Sequence, residues 1–203
     1  MSKRFIVMVA CGVIGLALLV NGCAGTKVKR VEVEEQIDLS GNWNDTDSRL
    51  VSEEMIKDCL ARPWKDVFTA TKGKQPKVIV GTVKNRSQEH IAVETFVKDL
   101  ERSLINSGQV GFVASKNERN EIREEKVDQA EYARQETAKQ SKQETGADFM
   151  LQGQLNTIVD MSGKQAVKYY QVELELVNIL TNEKVWIGQK KIKKLVTRPQ
   201  FKP

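Results

Sequence analysis

The sequence predicts a single compact α/β domain: a mixed β-sheet flanked by helices and finished by antiparallel strands. Three observations carry this. A β-branched run, a helical periodicity, a second apolar run and a charged helical stretch follow one another between residues 77 and 144. From Phe149 onward the apolar residues alternate with polar ones at a period of two, broken by turn residues. The chain has 203 residues, 40% of them hydrophobic and 29% charged, which suits one core and is too little for two large ones.

The elements follow in order. Lys3 and Arg4 precede an uncharged apolar run, Phe5 to Val20. Its 16 residues fall short of the roughly 20 that a spanning helix needs. The run ends at Leu19-Val20-Asn21-Gly22-Cys23, a small residue directly before a cysteine, which resembles a bacterial lipobox. Residues 1–22 therefore read as a lipoprotein signal peptide, with cleavage before Cys23 and acylation of Cys23. Several acyl chains anchor stably, because each buried methylene adds about 0.8 kcal/mol and one chain alone is marginal. Ala24 stands where inner-membrane retention usually uses Asp, so the expected address is the periplasmic face of the outer membrane.

Residues 23–36 read as the lipidated tether, with a first strand expected near Val31 to Ile37. The 13 residues after Cys23 reach at most about 45 Å when fully extended. Residues 38–49 are dense in turn and cap formers around Trp43, and Asp47 or Ser48 is expected to cap a helix running to about Ala61. Leu50, Val51, Met55, Ile56, Cys59 and Leu60 form its apolar face. Pro63 stops it, and Trp64, Val67 and Phe68 suggest a short second helix.

Lys77 to Val83 reads as a central strand, because its apolar run does not alternate. A helix is expected from about Glu89 to Asn106, with Val93, Phe96, Val97, Leu100 and Leu104 on one face and Gly108 ending it. Gln109 to Ala114 reads as a second strand. Residues 116–144 carry 8 acidic and 7 basic side chains, the pattern of a solvated helix laced with ion pairs. Three strands follow: one on Phe149, Leu151 and Leu155; one on Val172, Leu174, Leu176 and Leu180; one opening at Val185-Trp186-Ile187. The globular domain is expected over 37–197, with a basic tail over 198–203.

Composition removes most chemistry. With one histidine and three cysteines, a Cys/His zinc site or a two-histidine mechanism has no material. Cys11 lies in the leader and Cys23 is acylated, so Cys59 is the remaining thiol and reads as a buried structural residue. Asp38, Asp45 and Asp47 miss the EF-hand pattern, since Leu50 and Ile56 stand where Gly and Glu are required. No Gly-x-Ser-x-Gly and no phosphate loop occurs. The chain reads as no enzyme, with no catalytic residue, cofactor or metal. Without Lys3 and Arg4 the net charge falls from +5 to +3, too weak an excess to argue for nucleic acid. Seven basic residues and no acid follow Glu183. They read either as protection of a sheet edge or as attraction to peptidoglycan or anionic headgroups.

Val83-Lys84-Asn85-Arg86 before a helix, Gly146-Ala147-Asp148-Phe149-Met150-Leu151, and Glu183-Lys184-Val185-Trp186-Ile187-Gly188 together resemble the LpoB family of penicillin-binding protein activators. The segment Asp38 to Asp47 resembles the entry segment of LpoB-like lipoproteins. The resemblance covers about residues 37–197. It implies a fold similar to the N-terminal domain of TolB, and an outer-membrane lipoprotein that stimulates a class A penicillin-binding protein in peptidoglycan synthesis. The long proline-rich linker of well-known members is replaced here by a short tether without proline. The other reading is an adaptor or assembly lipoprotein for envelope secretion or trafficking on the same fold. Asn85 and Arg86, at the end of a buried strand, are the candidate partner-binding residues, with Trp43 a further candidate.

Overall fold

Asn44 opens the first helix. Its side chain accepts from the Asp47 amide at 3.0 Å, while the Asp47 carboxylate accepts from the Asn44 amide at 3.0 Å. This reciprocal capping box starts α1 (Asp45–Ala61) two to three residues before the start expected from Asp47 or Ser48. The computed structural model describes residues 28–32, 34–139 and 144–197. The lipobox, with Cys23, and the tail over 198–203 lie outside the described residues. The strand expected near Val31 to Ile37 is absent among the described residues there. Its few apolar residues have no neighbouring strand to satisfy their backbone groups.

After Pro63 comes α2 (Trp64–Lys72), closed by Gly73 in the left-handed conformation at φ 66°. Strand β1 (Lys77–Asn85) leads through a loop to α3 (Val93–Asn106). This helix starts four residues later than the periodicity suggested. The side chains of Asn85 and Ser87 capture the backbone of the intervening loop, and Glu89 turns toward the sheet instead of into a first turn. Strand β2 is reduced to Gly111–Phe112 at the sheet edge. Then Ser115 and Glu118 make a second capping box for α4 (Lys116–Tyr132), which has no buried residue and is the solvated charged helix of the sequence. Lys98 bridges Glu101 on α3 and Glu118 on α4, at 2.6 and 2.5 Å.

The last third is a meander of three long strands, β3 (Phe149–Ser162), β4 (Gln165–Asn178) and β5 (Lys184–Thr197). Leu180, expected in β4, lies in the β4–β5 turn. Asn178 ends the strand by accepting from the amides of Leu180 and Thr181, and Asn182 takes φ 61°. The sheet order is β2-β1-β3-β4-β5, with β1 parallel to β2 and β3 and the rest antiparallel. β1 is thus an inner strand, and Val78, Ile79 and Val80 are buried in succession, as the unalternated run implied.

One face of the sheet carries the helices: α1 packs on α3 and β5, and α3 packs on β1 and β2. Val51, Met55, Ile56 and Cys59 meet Leu151, Val172, Leu174 and Leu176 there, all nearly or fully buried. Burial of this kind stabilises by roughly 1.5–3 kcal/mol per large apolar side chain. The Cys59 thiol is pushed up to about 12 by desolvation, which keeps it an inert packing group. Leu50, counted in the α1 apolar face, is exposed instead. The compact unit begins at Gln36 and contains all of this core.

Candidate functional site

On β4 the buried Val172, Leu174 and Leu176 alternate with Gln171, Glu173 and Glu175, which therefore point to the face opposite the described helices. Register sets their neighbours. Gln152 pairs with Glu175 and Gln154 with Glu173, while Glu173 faces Gln189 and Glu175 faces Ile187 across β5. The result is a shallow trough of about 620 Å³ running across β1, β3, β4 and β5. Lys84 and Arg86 line it on the β1 side and Ile187 and Gln189 on the β5 side.

Its floor is pre-organised by hydrogen bonds between side chains. The Glu173 carboxylate accepts from the amides of Gln154 at 3.0 Å, Gln171 at 2.5 Å and Gln189 at 3.2 Å. These donors hold its carboxyl below the usual range. Glu175 accepts from Lys184 at 2.5 Å and from Gln152 at 2.8 Å, and it too is held low, chiefly by Lys184. Arg86 differs. Its backbone amide donates to Leu155 O at 2.8 Å, but its guanidinium has no hydrogen bond or ion pair among the described residues. The floor is ordered polar surface and the rim carries a planar cation that is unengaged among the described residues.

The three candidate binding residues do not converge. Asn85 is exposed and works locally: its Oδ1 accepts from the Ser87 amide at 2.9 Å and its Nδ2 donates to Glu89 O at 2.8 Å. Trp43 is half-buried against the core on the helical face, in edge contacts with Phe96 at 6.0 Å and Tyr170 at 5.7 Å between ring centroids. It plugs the end of the core, and Arg86 alone stands on the trough.

Sequence reading missed the residues that set this geometry. Glu89 accepts from the Tyr170 hydroxyl at 2.8 Å, the Lys168 ammonium at 2.8 Å and the Trp43 amide at 3.2 Å. Burial opposes its charge, yet these donors outweigh burial and hold the carboxyl low. Burial and the Glu89 charge push the Tyr170 hydroxyl up. The acidic cluster of Asp38 and Asp47 receives its cation from the protein itself: Lys194 Nζ lies 2.6 Å from each. Among the described residues no group of three or more His, Cys, Asp or Glu side chains could hold a metal. The one signal available in the sequence was the period-two Gln171, Glu173, Glu175 series, which marks a polar sheet face.

Fold and site together define a mixed α/β domain that presents an ordered polar sheet face behind a single helical layer. The family model for the peptidoglycan-synthase activator LpoB matches residues 47–192, from the first turn of α1 into β5, and the chain belongs to this family. Among solved structures it is similar to the LpoB C-terminal domain from Salmonella enterica, at 14% identity over 73% of this chain and 99% of that one, with a TM-score of 0.43. It is similar to the LpoB C-terminal domain from Escherichia coli at 14% identity, covering 70% and 98%, with a TM-score of 0.41. A lipoprotein from Neisseria meningitidis, GNA1162, matches at 13% identity over 62% and 88%, with a TM-score of 0.38. No curated protein sequence matches the chain.

Proposed function

We propose that this chain is a lipoprotein anchored at Cys23 to the periplasmic face of the outer membrane, and that it binds and activates a class A penicillin-binding protein. The observation that carries this is the family match over residues 47–192, joined to the lipobox at Gly22-Cys23. The protein acts as a regulator rather than a catalyst. Binding must deliver its effect through surface, and among the described residues no helix covers the part of the sheet that holds the trough with Arg86 on its rim.

A reconstituted assay tests this. A purified class A penicillin-binding protein polymerises lipid-linked precursor with and without the protein. A higher rate together with direct binding supports the reading; an unchanged rate with no binding overturns it. The tether of 13 residues, reaching at most about 45 Å, favours a second reading in which the same fold serves as an adaptor for envelope secretion or trafficking. Pull-down with the lipidated protein separates the two by whether a synthase or secretion components elute.

A further inference from the structure

The compact unit starts and finishes at the same end of the sheet. Its first residues, Asp38 to Gly41, lie against the last residues of β5: Asp38 bonds Lys194, and Gly41, at φ 70°, leaves no room for a Cβ beside Val196. β5 ends there at Thr197, and the β3–β4 turn at Gly163-Lys164 lies at the same end. Large apolar side chains stand in solvent at this pole. Leu39 is 94% exposed, Leu195 67%, Met161 67% and Ile158 64%. Ile158 and Leu195 stand on the open face and Met161 on the other, so the apolar side chains wrap the end of the sheet and are not scattered singly over the domain.

The charge around them says what. Lys191 and Lys193 project from the open face of β5 with Leu195, Ile158 lies level with Lys193 two strands away across Tyr169, and Lys164 stands in the turn. None of the three has an ion pair among the described residues, whereas Lys184, Lys190 and Lys194 are all engaged by carboxylates. Asp160 is the exposed acid of the patch, Asp38 is neutralised by Lys194, and Glu173, diagonal to Lys191, feels its charge without an ion pair and is bonded by three glutamine amides. The sequence continues beyond β5 with Arg198 and Lys202. A second copy would bring the same lysines face to face. An anionic lipid surface instead meets both features, taking lysine at the headgroups and aliphatic side chains at the acyl boundary.

From this juxtaposition we infer that the pole carrying Leu39, Ile158, Met161 and Leu195, rimmed by Lys164, Lys191 and Lys193, rests on the anionic lipid surface to which the tether is anchored. The inference rests on the lipid-anchor reading, since the chain enters the domain at this pole. Resting there, the domain keeps its opposite pole turned away from the membrane.

The test uses the chain from Ala24 to Pro203, which lacks lipid and leader but keeps the whole compact unit. It is sedimented with vesicles of phosphatidylcholine alone, or of phosphatidylcholine and phosphatidylglycerol in equal parts. Binding to the phosphatidylglycerol vesicles and not to the neutral ones is the expected result, weakening as salt is raised. Lys191→Gln and Lys193→Gln should each weaken it roughly fivefold, since a lysine near an anionic surface contributes about a factor of that size. Leu195→Asp should remove it with the melting temperature unchanged, because that side chain is exposed. No binding, equal binding to both vesicles, or variants that bind like the parent would overturn the inference. A dimer dissolved by Leu195→Asp would assign the pole to a second copy instead. No synthase and no acyl group is present, so failure here leaves the activator reading standing, and failure of synthase activation leaves this result standing.

Discussion

Lys168 and Lys194 are direct partners across the β4–β5 ladder, side by side on the helical face of the sheet. Like charges so placed repel and destabilise an antiparallel pair. Each is instead drawn to its own carboxylates: Lys168 to Glu89 at 2.8 Å, and Lys194 to Asp38 and Asp47 at 2.6 Å. Asn42 binds both, taking Lys168 on its side-chain oxygen and Lys194 on its backbone oxygen at 3.2 Å. The two lysines thereby staple the entry segment to the sheet.

Removing one staple should be costly. Lys194 has a side chain only 11% exposed and Asp47 only 9%, so Lys194→Met leaves a buried carboxylate without its cation. Loss of one partner of a buried pair costs about 3–5 kcal/mol, and the partly exposed Asp38 brings the expected loss to about 2–3 kcal/mol. Urea unfolding measures it. Lys193→Met, one residue away and exposed, should stay within about 0.5 kcal/mol.

Acid should loosen the domain. Glu89 is held low in the fold by Lys168, Tyr170 and Trp43 against the opposing effect of burial. A depressed carboxyl stabilises the fold above its unfolded value of about 4.3, and this is lost as pH falls through the lower folded value. Lys194 has the opposite sign. Burial works against its charge, but Asp38 and Asp47 raise it, so its contribution is present below its unfolded value and lost as pH rises through the folded one. Stability should therefore plateau between these limits. Glu89→Gln should lower the plateau and flatten the acid limb in thermal melts taken from pH 7 to pH 3.

Arg86 and Trp43 should separate cleanly. Arg86→Ala removes an exposed side chain without partners among the described residues, and should leave the melting temperature unchanged. If it anchors the synthase, binding weakens by about 1–2 kcal/mol or more. Unchanged affinity removes it from the interface. Trp43→Ala breaks edge contacts with Phe96 and Tyr170 and should cost about 2–4 kcal/mol of stability, with any loss of binding following from that.

Cys23→Ala should abolish acylation and leave the signal peptide in place. Metabolic labelling with a fatty acid, read with the mobility of the protein on a gel, checks this. Label retained by the variant would place the lipid elsewhere.

The sequence by itself determined the element order, the helical faces and the period-two strands, because each is written in residues a few positions apart. Val51, Met55, Ile56 and Cys59 recur at helical spacing, and Val172, Leu174 and Leu176 alternate, whatever else the chain does. The lipobox expectation at Gly22-Cys23 is equally local, and it stays an expectation that the acylation experiment tests. The start of α3 departs from the local pattern because Glu89, which continues the helical periodicity, is claimed by Lys168 and Tyr170, 79 and 81 residues away. Tertiary structure alone decided the trough, since Gln154, Glu173 and Gln189 meet only through strand register. It also decided which lysines of β5 are engaged. Parity along the strand puts Lys190 and Lys194 on the helical face, where carboxylates of α1 and the entry segment await them, and leaves Lys191 and Lys193 in solvent. Periodicity assigns a residue to a face, but the charge it meets there depends on which distant segment the fold lays against that face.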